Sequence, residues 1–349
     1  STDLISDQNG VNIFDIPVSD ALPVRSFTLD ATAPTLERWT LNMSSGEVLL
    51  FFSETMLGDS LAMTKFTLVN ADASASVQFG VGEYTATDSL TLSFTLSISE
   101  LNQIKKATTL GTIQANSYLL FDSGAVTDMT GNDLESNVVQ ALAVYRDEIR
   151  PTLVAFSVSM VENSEKIVVT FDETMENETL TIGSISLQSS ETSATIAHQL
   201  QSASSADEDG TVFEIMLSKS DVDELKILGI CNSRSDCFMT MAASTMSDMA
   251  SLRLEPVVSS SASQATNVTA DTTSPALITF AVFDYDQNMI TLSFSEPVKP
   301  ESFNGSAIVF LPSFQGTFGA GDKYQLTGGA TTSVRGDTMN ITLIDTDMN

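Results

Sequence analysis

Three nearly identical octets constrain this chain more than any other feature. "PTLERWTL" begins at Pro34, "PTLVAFSV" at Pro151 and "PALITFAV" at Pro275, 117 and then 124 residues apart. A spacing of about 120 residues is the length of one ordinary domain, so the repetition predicts tandem copies of one unit. In each octet an aromatic stands five residues after the proline (Trp39, Phe156, Phe280) and an aliphatic seven after it (Leu41, Val158, Val282). Side chains alternate along a strand, so both positions share one face. The single tryptophan therefore reads as core.

The second strand aligns without gaps as "EVLLFFSET", "KIVVTFDET" and "MITLSFSEP". Val48, Leu50 and Phe52, like Ile167, Val169 and Phe171 or Ile290, Leu292 and Phe294, follow period two and predict a core face. Each strand is expected to end at an acid: Glu54, Glu173 or Glu296. A later strand repeats as "LTLSFTLS", "TVFEIMLS" and "TMNITLID". After it come "SELNQIKK", "SDVDELKI" and "TDMN", which predict a single helical turn capped by Ser99, Ser220 and Thr346. The loops "TDMTGN" and "SDMASL" share Asp128 and Asp248, with Asp7 as an earlier counterpart. Each unit opens on D-x-x-x-P: Asp30 to Pro34, Asp147 to Pro151, Asp271 to Pro275. The proline favours an extended linker there.

These alignments place a C-terminal strand and loop of a preceding copy at residues 1–29. Complete units follow at 30–146 and 147–270, and a unit lacking its last two strands at 271–349. A chain organised this way is expected to be a piece of a longer array. Seven or so strands per unit, regular turns and no long helix predict an all-β fold of tandem immunoglobulin-like sandwiches. The combination D-x-x-x-P-x-L-x-x-F, then F-S-E-T or F-S-E-P, then S-E-L-N-x-I-K and T-D-M-T-G-N, resembles the bacterial-type Ig-like repeats of large surface, S-layer and adhesin-like proteins. That resemblance implies an extracellular or cell-surface setting. The second copy departs from it, because "SDMASLRL" lacks the Gly and Asn of "TDMTGNDL".

The net charge of −30, from 45 acidic and 15 basic residues, argues against a protein that tracks nucleic-acid phosphates. No apolar run is long enough to span a membrane, and "STDLISDQNG" is not a signal peptide. Neither a nucleophile elbow, a zinc-protease motif, a phosphate loop nor a dinucleotide fingerprint occurs. "GTFGAGDK" (316–323) is glycine-rich but lies between strands and reads as a turn. His198 stands alone in a polar stretch and reads as solvated. No enzyme is expected. Cys231 and Cys237 are spaced C-x5-C, which suits a short-loop disulfide better than a metal site or a redox motif.

The acids carry the one chemical expectation. A linker Asp, a strand Glu and a loop Asp should meet at one pole of each sandwich: Asp30, Glu54 and Asp128; Asp147, Glu173 and Asp248; Asp271 and Glu296. Gathered carboxylates repel unless neutralised, and oxygen-rich sites suit calcium. The other reading is that these acids cap turns and bind backbone amides. Five N-x-S/T sequons, at Asn42, Asn177, Asn267, Asn304 and Asn340, are compatible with glycosylation. The expected function is a non-enzymatic structural or adhesive stalk module whose partners are the neighbouring repeats. Two alternatives stand beside it. One is a glycan- or protein-binding module acting through the loops 69–89 and 188–211, with Tyr84 as the one candidate aromatic, toward cell-surface proteins or glycans. The other is an accessory region of a larger secreted enzyme.

Overall fold

The structure is a computed structural model that describes residues 4–80, 82–84, 86–205, 208–311 and 320–348. Its first unit runs β1 (Leu36–Asn42), β2 (Glu47–Met56), β3 (Phe66–Val69), β4 (Ser76–Gln78), β5 (Ser89–Thr95), α1 (Ile98–Lys106), β6 (Tyr118–Phe121), β7 (Asn137–Gln140) and β8 (Ala143–Tyr145). Two four-stranded sheets form, ordered β5–β2–β1–β8 and β4–β3–β6–β7. Apart from the parallel β1–β8 edge, every pair is antiparallel.

The second unit repeats the plan with β9 (Leu153–Ser159), β10 (Lys166–Met175), β11 (Ile185–Gln188), β12 (Ala197–Gln199), β13 (Ala203–Ser204), β14 (Gly210–Leu217), α2 (Lys219–Leu228), β15 (Phe238–Met241), β16 (Ser263–Gln264) and β17 (Asn267–Thr269). Its sheets are β13–β14–β10–β9–β17 and β12–β11–β15–β16, again with one parallel edge, β9–β17. The third part contains β18 (Leu277–Asp284), β19 (Met289–Val298), β20 (Val309–Phe310), β21 (Tyr324–Gln325), β22 (Gly336–Thr342) and α3 (Asp345–Met348). There the sheets shrink to β18–β19–β22 and β20–β21. The protein is all-β: tandem immunoglobulin-like sandwiches with one short helix each. No helix among the described residues is long and apolar enough to cross a membrane.

Each part has its own apolar cluster: Leu36 to Val144, Leu153 to Val268 and Ile290 to Met348. The period-two positions do supply them. Val48, Leu50 and Phe52 pack against Leu92 and Phe94, as Ile167, Val169 and Phe171 pack against Phe213 and Ile215. Trp39 is 0% exposed and its indole N–H donates to the Val139 carbonyl at 2.8 Å. The residue thus ties one sheet to the other. In the third part the pattern departs: Phe280, at the position of Trp39, is 47% exposed.

Three local expectations need correction. The second strand does not end at its acid but runs two residues further, to Met56, Met175 or Val298. Between Phe51 and Met56, and between Thr170 and Met175, the register with the neighbouring strand shifts. This irregularity swings Glu54 and Glu173 toward the pole while Met56 and Met175 bridge to Asp128 and Asp248. The helices α1 and α2 have 9 and 10 residues rather than one turn. Their caps are Ser97 and Ser218, two residues before the expected serines, because Glu100 and Asp221 sit at the third helical position and complete the cap.

The third correction concerns His198. It lies on β12 and its Nε2 is 2.7 Å from the Asp221 carboxylate, largely buried rather than solvated. Asp221 also accepts the Gln201 and Ser202 amides. Burial opposes its ionisation, but these donors hold its carboxyl below the usual range. Glu100 accepts the Gly80 amide in the first unit, and Asp347 accepts the Thr327 amide in the third part. The acid of the helix cap therefore pins the neighbouring loop in every copy. Residues 316–319 of the glycine-rich stretch lie outside the described residues.

Candidate functional site

The sequence "SELNQIKK" carries Lys105 near the end of α1, and "SDVDELKI" carries Lys226 at the matching place in α2. A cation in the last turn also suits the helix dipole. Lys105 leaves the first unit and enters the second: its Nζ is 2.6 Å from Asp147 Oδ2 and also pairs with Glu173. Lys226 repeats the contact one unit on, 2.7 Å from Asp271 and 2.6 Å from Glu296. The linker aspartate and the strand glutamate of one unit thus grip the helix lysine of the unit before it.

The linker aspartates have a second task. One oxygen accepts the amide two residues along: Asp30 from Thr32 at 3.0 Å, Asp147 from Ile149 at 3.1 Å and Asp271 from Thr273 at 2.9 Å. That is the Asx-turn geometry in which a short acid caps its own linker. The loop aspartates do the same more fully. Asp7, Asp128 and Asp248 each accept two backbone amides with Oδ1: Asn9 and Val11, Thr130 and Asn132, Ala250 and Leu252. These turns need a left-handed residue, supplied by Gly10, Gly131 and, in the second unit, Ser251 at φ 66°. The loop geometry therefore survives the loss of "GN" in "SDMASLRL".

What that loss changes is the other oxygen. Asp128 Oδ2 accepts from the Asn132 side chain at 2.7 Å and the Thr130 hydroxyl at 3.1 Å. Burial alone would raise Asp128, but the Asn132 and Thr130 donors bring its carboxyl down to about 2. In the second unit those residues are Leu252 and Ala250. Asp248 Oδ2 is buried without a hydrogen-bond partner, and burial holds Asp248 above the usual carboxylate range.

The expected triads do converge. Carboxylate oxygens of Asp30, Glu54 and Asp128 lie within 4.8 Å of one another, as do those of Asp147, Glu173 and Asp248. Asp271 and Glu296 meet on Lys226. The first triad is the more open. There burial, then Asp30 and Asp128, push Glu54 up. The second is buried, and Lys105 stands among its acids. Burial pushes Glu173 up to about 8, with Asp147 and Asp248 adding repulsion that Lys105 only partly offsets. Asp147 goes the other way: burial opposes its ionisation, but the Lys105 contact and the Ile149 amide hold it low.

The two lysine contacts differ in support. The Lys105 side chain is 9% exposed and that of Lys226 19%. Beside Lys105, Asn102 accepts the Thr174 amide with its side chain and the Thr174 hydroxyl with its carbonyl, both at 3.0 Å. Lys106 adds a 3.3 Å pair with Glu208. At the next joint Asp223 and Pro297 stand where Asn102 and Thr174 stood, and a proline has no amide to give. Sequence reasoning missed the lysines. The available signal was their recurrence 121 residues apart in a chain with only 15 basic residues.

The structure joins Cys231 and Cys237 in a disulfide, both buried in the second unit's core. Tyr84, half exposed, forms an isolated bridge with Phe94.

No family model and no curated protein matches the chain. Among solved structures it is similar to the N-terminal part of the bacterial S-layer protein SbsC, at 11% identity and a TM-score of 0.25 over 54% of this chain and 45% of that one. It is also similar to the Escherichia coli adhesin FdeC, at 11% identity and a TM-score of 0.25 over 92% and 91% of the two chains. The N-terminal eight Ig domains of DSCAM match at 9% identity and a TM-score of 0.17 over 89% and 38%. The chain spans about half the length of the S-layer chains it matches.

Proposed function

We propose that this chain is a non-enzymatic stalk: a run of Ig-like units, with joints near residues 30, 147 and 271, in a large extracellular surface protein. The observation that carries the reading is the lysine clasp. Lys105 and Lys226 each leave one unit to neutralise the linker and strand acids of the next. A spacer that must hold its units in line needs such a device. A buried ion pair fixes geometry more than it adds stability, because desolvation offsets much of the attraction.

Calcium is not required at either clasp in this reading, since an ammonium already sits between the acids. Its proposed place narrows to Asp30, Glu54 and Asp128, where among the described residues no lysine stands between the carboxylates. The test is a calcium titration of the full chain followed by solution scattering and melting temperature. The expected result is an extended particle whose dimensions do not change with calcium. Lys105→Met should make it more flexible. A particle that stiffens in calcium in the wild type and in Lys105→Met alike would overturn the lysine reading.

A further inference from the structure

Beside the clasp, the joint between the first two units leaves a cavity of about 580 Å³. Ile104, Ile113, Leu142 and Val144 of the first unit form its apolar wall, and Met249 and Ala250 of the second bound it on the far side. Ile113 and Leu142 are 58% and 52% exposed, so the packing of their own unit does not account for them. Gln114 and Arg146 supply polar groups to the same space.

Comparison of the two complete units shows that the fold does not require these residues. Ile113 and Ser233 open the same short turn, capped three residues on by Asn116 or Asp236. Leu142 and Thr266 donate their amides to equivalent carbonyls, those of Trp39 and Phe156, both at 2.8 Å. On the other wall Ala250 stands where the first unit has Thr130, and both amides donate to the loop aspartate at 2.8 Å. At three places facing the cavity, then, an apolar residue stands where the other copy has a hydroxyl and the same backbone. Arg146 likewise takes the place of Ala270. Among the described residues no acid and no carbonyl pairs with the Arg146 guanidinium; the side-chain contact the residue does receive is at its own carbonyl, from the Ser44 hydroxyl. In a chain of 45 acidic and 15 basic residues, an arginine without an acid is open to an anion from outside.

We propose that this joint binds a small apolar carboxylate, of the size and polarity of a medium-chain fatty acid. Its tail lies against Ile113, Leu142 and Met249, and its head pairs with Arg146, whose planar fork matches a carboxylate with two parallel bonds. Asp147 also borders the cavity, but Lys105 neutralises it, so it does not repel the anion as a free acid would. A cavity of this volume, walled by apolar side chains and set between two domains, is of the kind that holds small ligands. Because both units supply the wall, the ligand binds the closed joint and not the open one. Anything that binds one state alone stabilises it, so the ligand and the clasp act in the same direction.

The test titrates the full chain with sodium decanoate, below its micelle concentration, and follows hydrogen exchange at the Thr174 amide, which bonds across the joint. That readout is local, so decanoate held elsewhere on the chain does not enter it. In the wild type, Thr174 protection should rise and saturate with a Kd of about 1 mM or tighter. The double variant Ile113→Ser, Leu142→Thr carries the residues that the second unit already accepts at these places, so it should fold; it should weaken the effect about tenfold or more. Arg146→Gln should bring decanoate down to the affinity of decanol, about a tenfold loss, and leave decanol unchanged. Thr174 protection that does not respond to decanoate overturns the proposal, and so does a response that survives in the double variant. Decanol binding as tightly as decanoate to the wild type overturns the assignment of a carboxylate.

Discussion

Replacing Lys105 by Met should open the joint between the first two units without unfolding either. Among the described residues Lys105 is the one ammonium between Asp147, Glu173 and Asp248, whose oxygens crowd within 4.8 Å. With the lysine gone, the closed joint must keep Asp147 protonated at neutral pH. An aspartate swung into water ionises near its ordinary 3.8, so keeping it protonated at pH 7 costs about three pH units, or about 4 kcal/mol at roughly 1.36 kcal/mol per unit. This agrees with the 3–5 kcal/mol typical of removing one partner from a buried pair. The chain can escape that cost by swinging the acids into water, which sacrifices only the Asn102–Thr174 bonds, worth about 1 kcal/mol each. Opening is therefore the favoured response. The assay is hydrogen exchange at the Thr174 amide, which bonds across the joint to Asn102 at 3.0 Å. Its protection should fall steeply while the amides of Ile167–Thr170 in β10 and Trp39 fluorescence stay native. Lys226→Met should cost less, about 1–2 kcal/mol, because its partners are more exposed. Thr174 protection unchanged in Lys105→Met would refute the argument.

Three further outcomes follow from the same geometry. Glu173 has a folded value of about 8 against an ordinary 4.5. A raised carboxylate contributes stability that is complete below about 4.5 and lost as pH rises through about 8, so urea melts at pH 6 and 9 should differ by a few kcal/mol in the second unit. Glu173→Gln should flatten that difference. Leu252→Asn should give Asp248 Oδ2 the donor that Asn132 gives Asp128, and raise the second unit's stability by about 1 kcal/mol in thermal melts; a drop would mean that Leu252 packing outweighs the bond. Reduction of the Cys231–Cys237 disulfide, which closes a loop of sequence separation 6, should cost about 2 kcal/mol, read as a lower denaturation midpoint for the second unit alone.

The fold was legible because its strands obey period two and its repeats can be compared position by position. Trp39, Phe156 and the Val48, Ile167 and Ile290 rows could be placed from pattern alone. The convergence of the acids was legible too, because a sandwich returns alternate strands to one pole. The clasp was not. It depends on how far α1 projects past its own unit, and a helix taken for one turn is too short to carry Lys105 across. The caps were misplaced for a related reason. Ser97 and Ser99 are both good cap residues, and only the backbone shows which of them Glu100 reaches back to. His198 was hidden because its partner, Asp221, lies 23 residues away.

The clasp also has a direction. The first two units each extend a lysine forward, and the second and third each offer acids backward, so these two joints are held by residues on their two sides. Couplings of this kind act between nearest neighbours only. Bending stiffness is then a local property, set joint by joint through single residues. Each joint has one exposed flanking pair, Lys106 with Glu208 and Lys219 with Asp337, but the joint at Asp147 adds the Asn102–Thr174 bonds, whereas the one at Asp271 has Pro297 where an amide would be. Under a sideways load the molecule should hinge at the second joint while the first still holds, so that its shape under force is written in two short stretches, "FDET" and "FSEP".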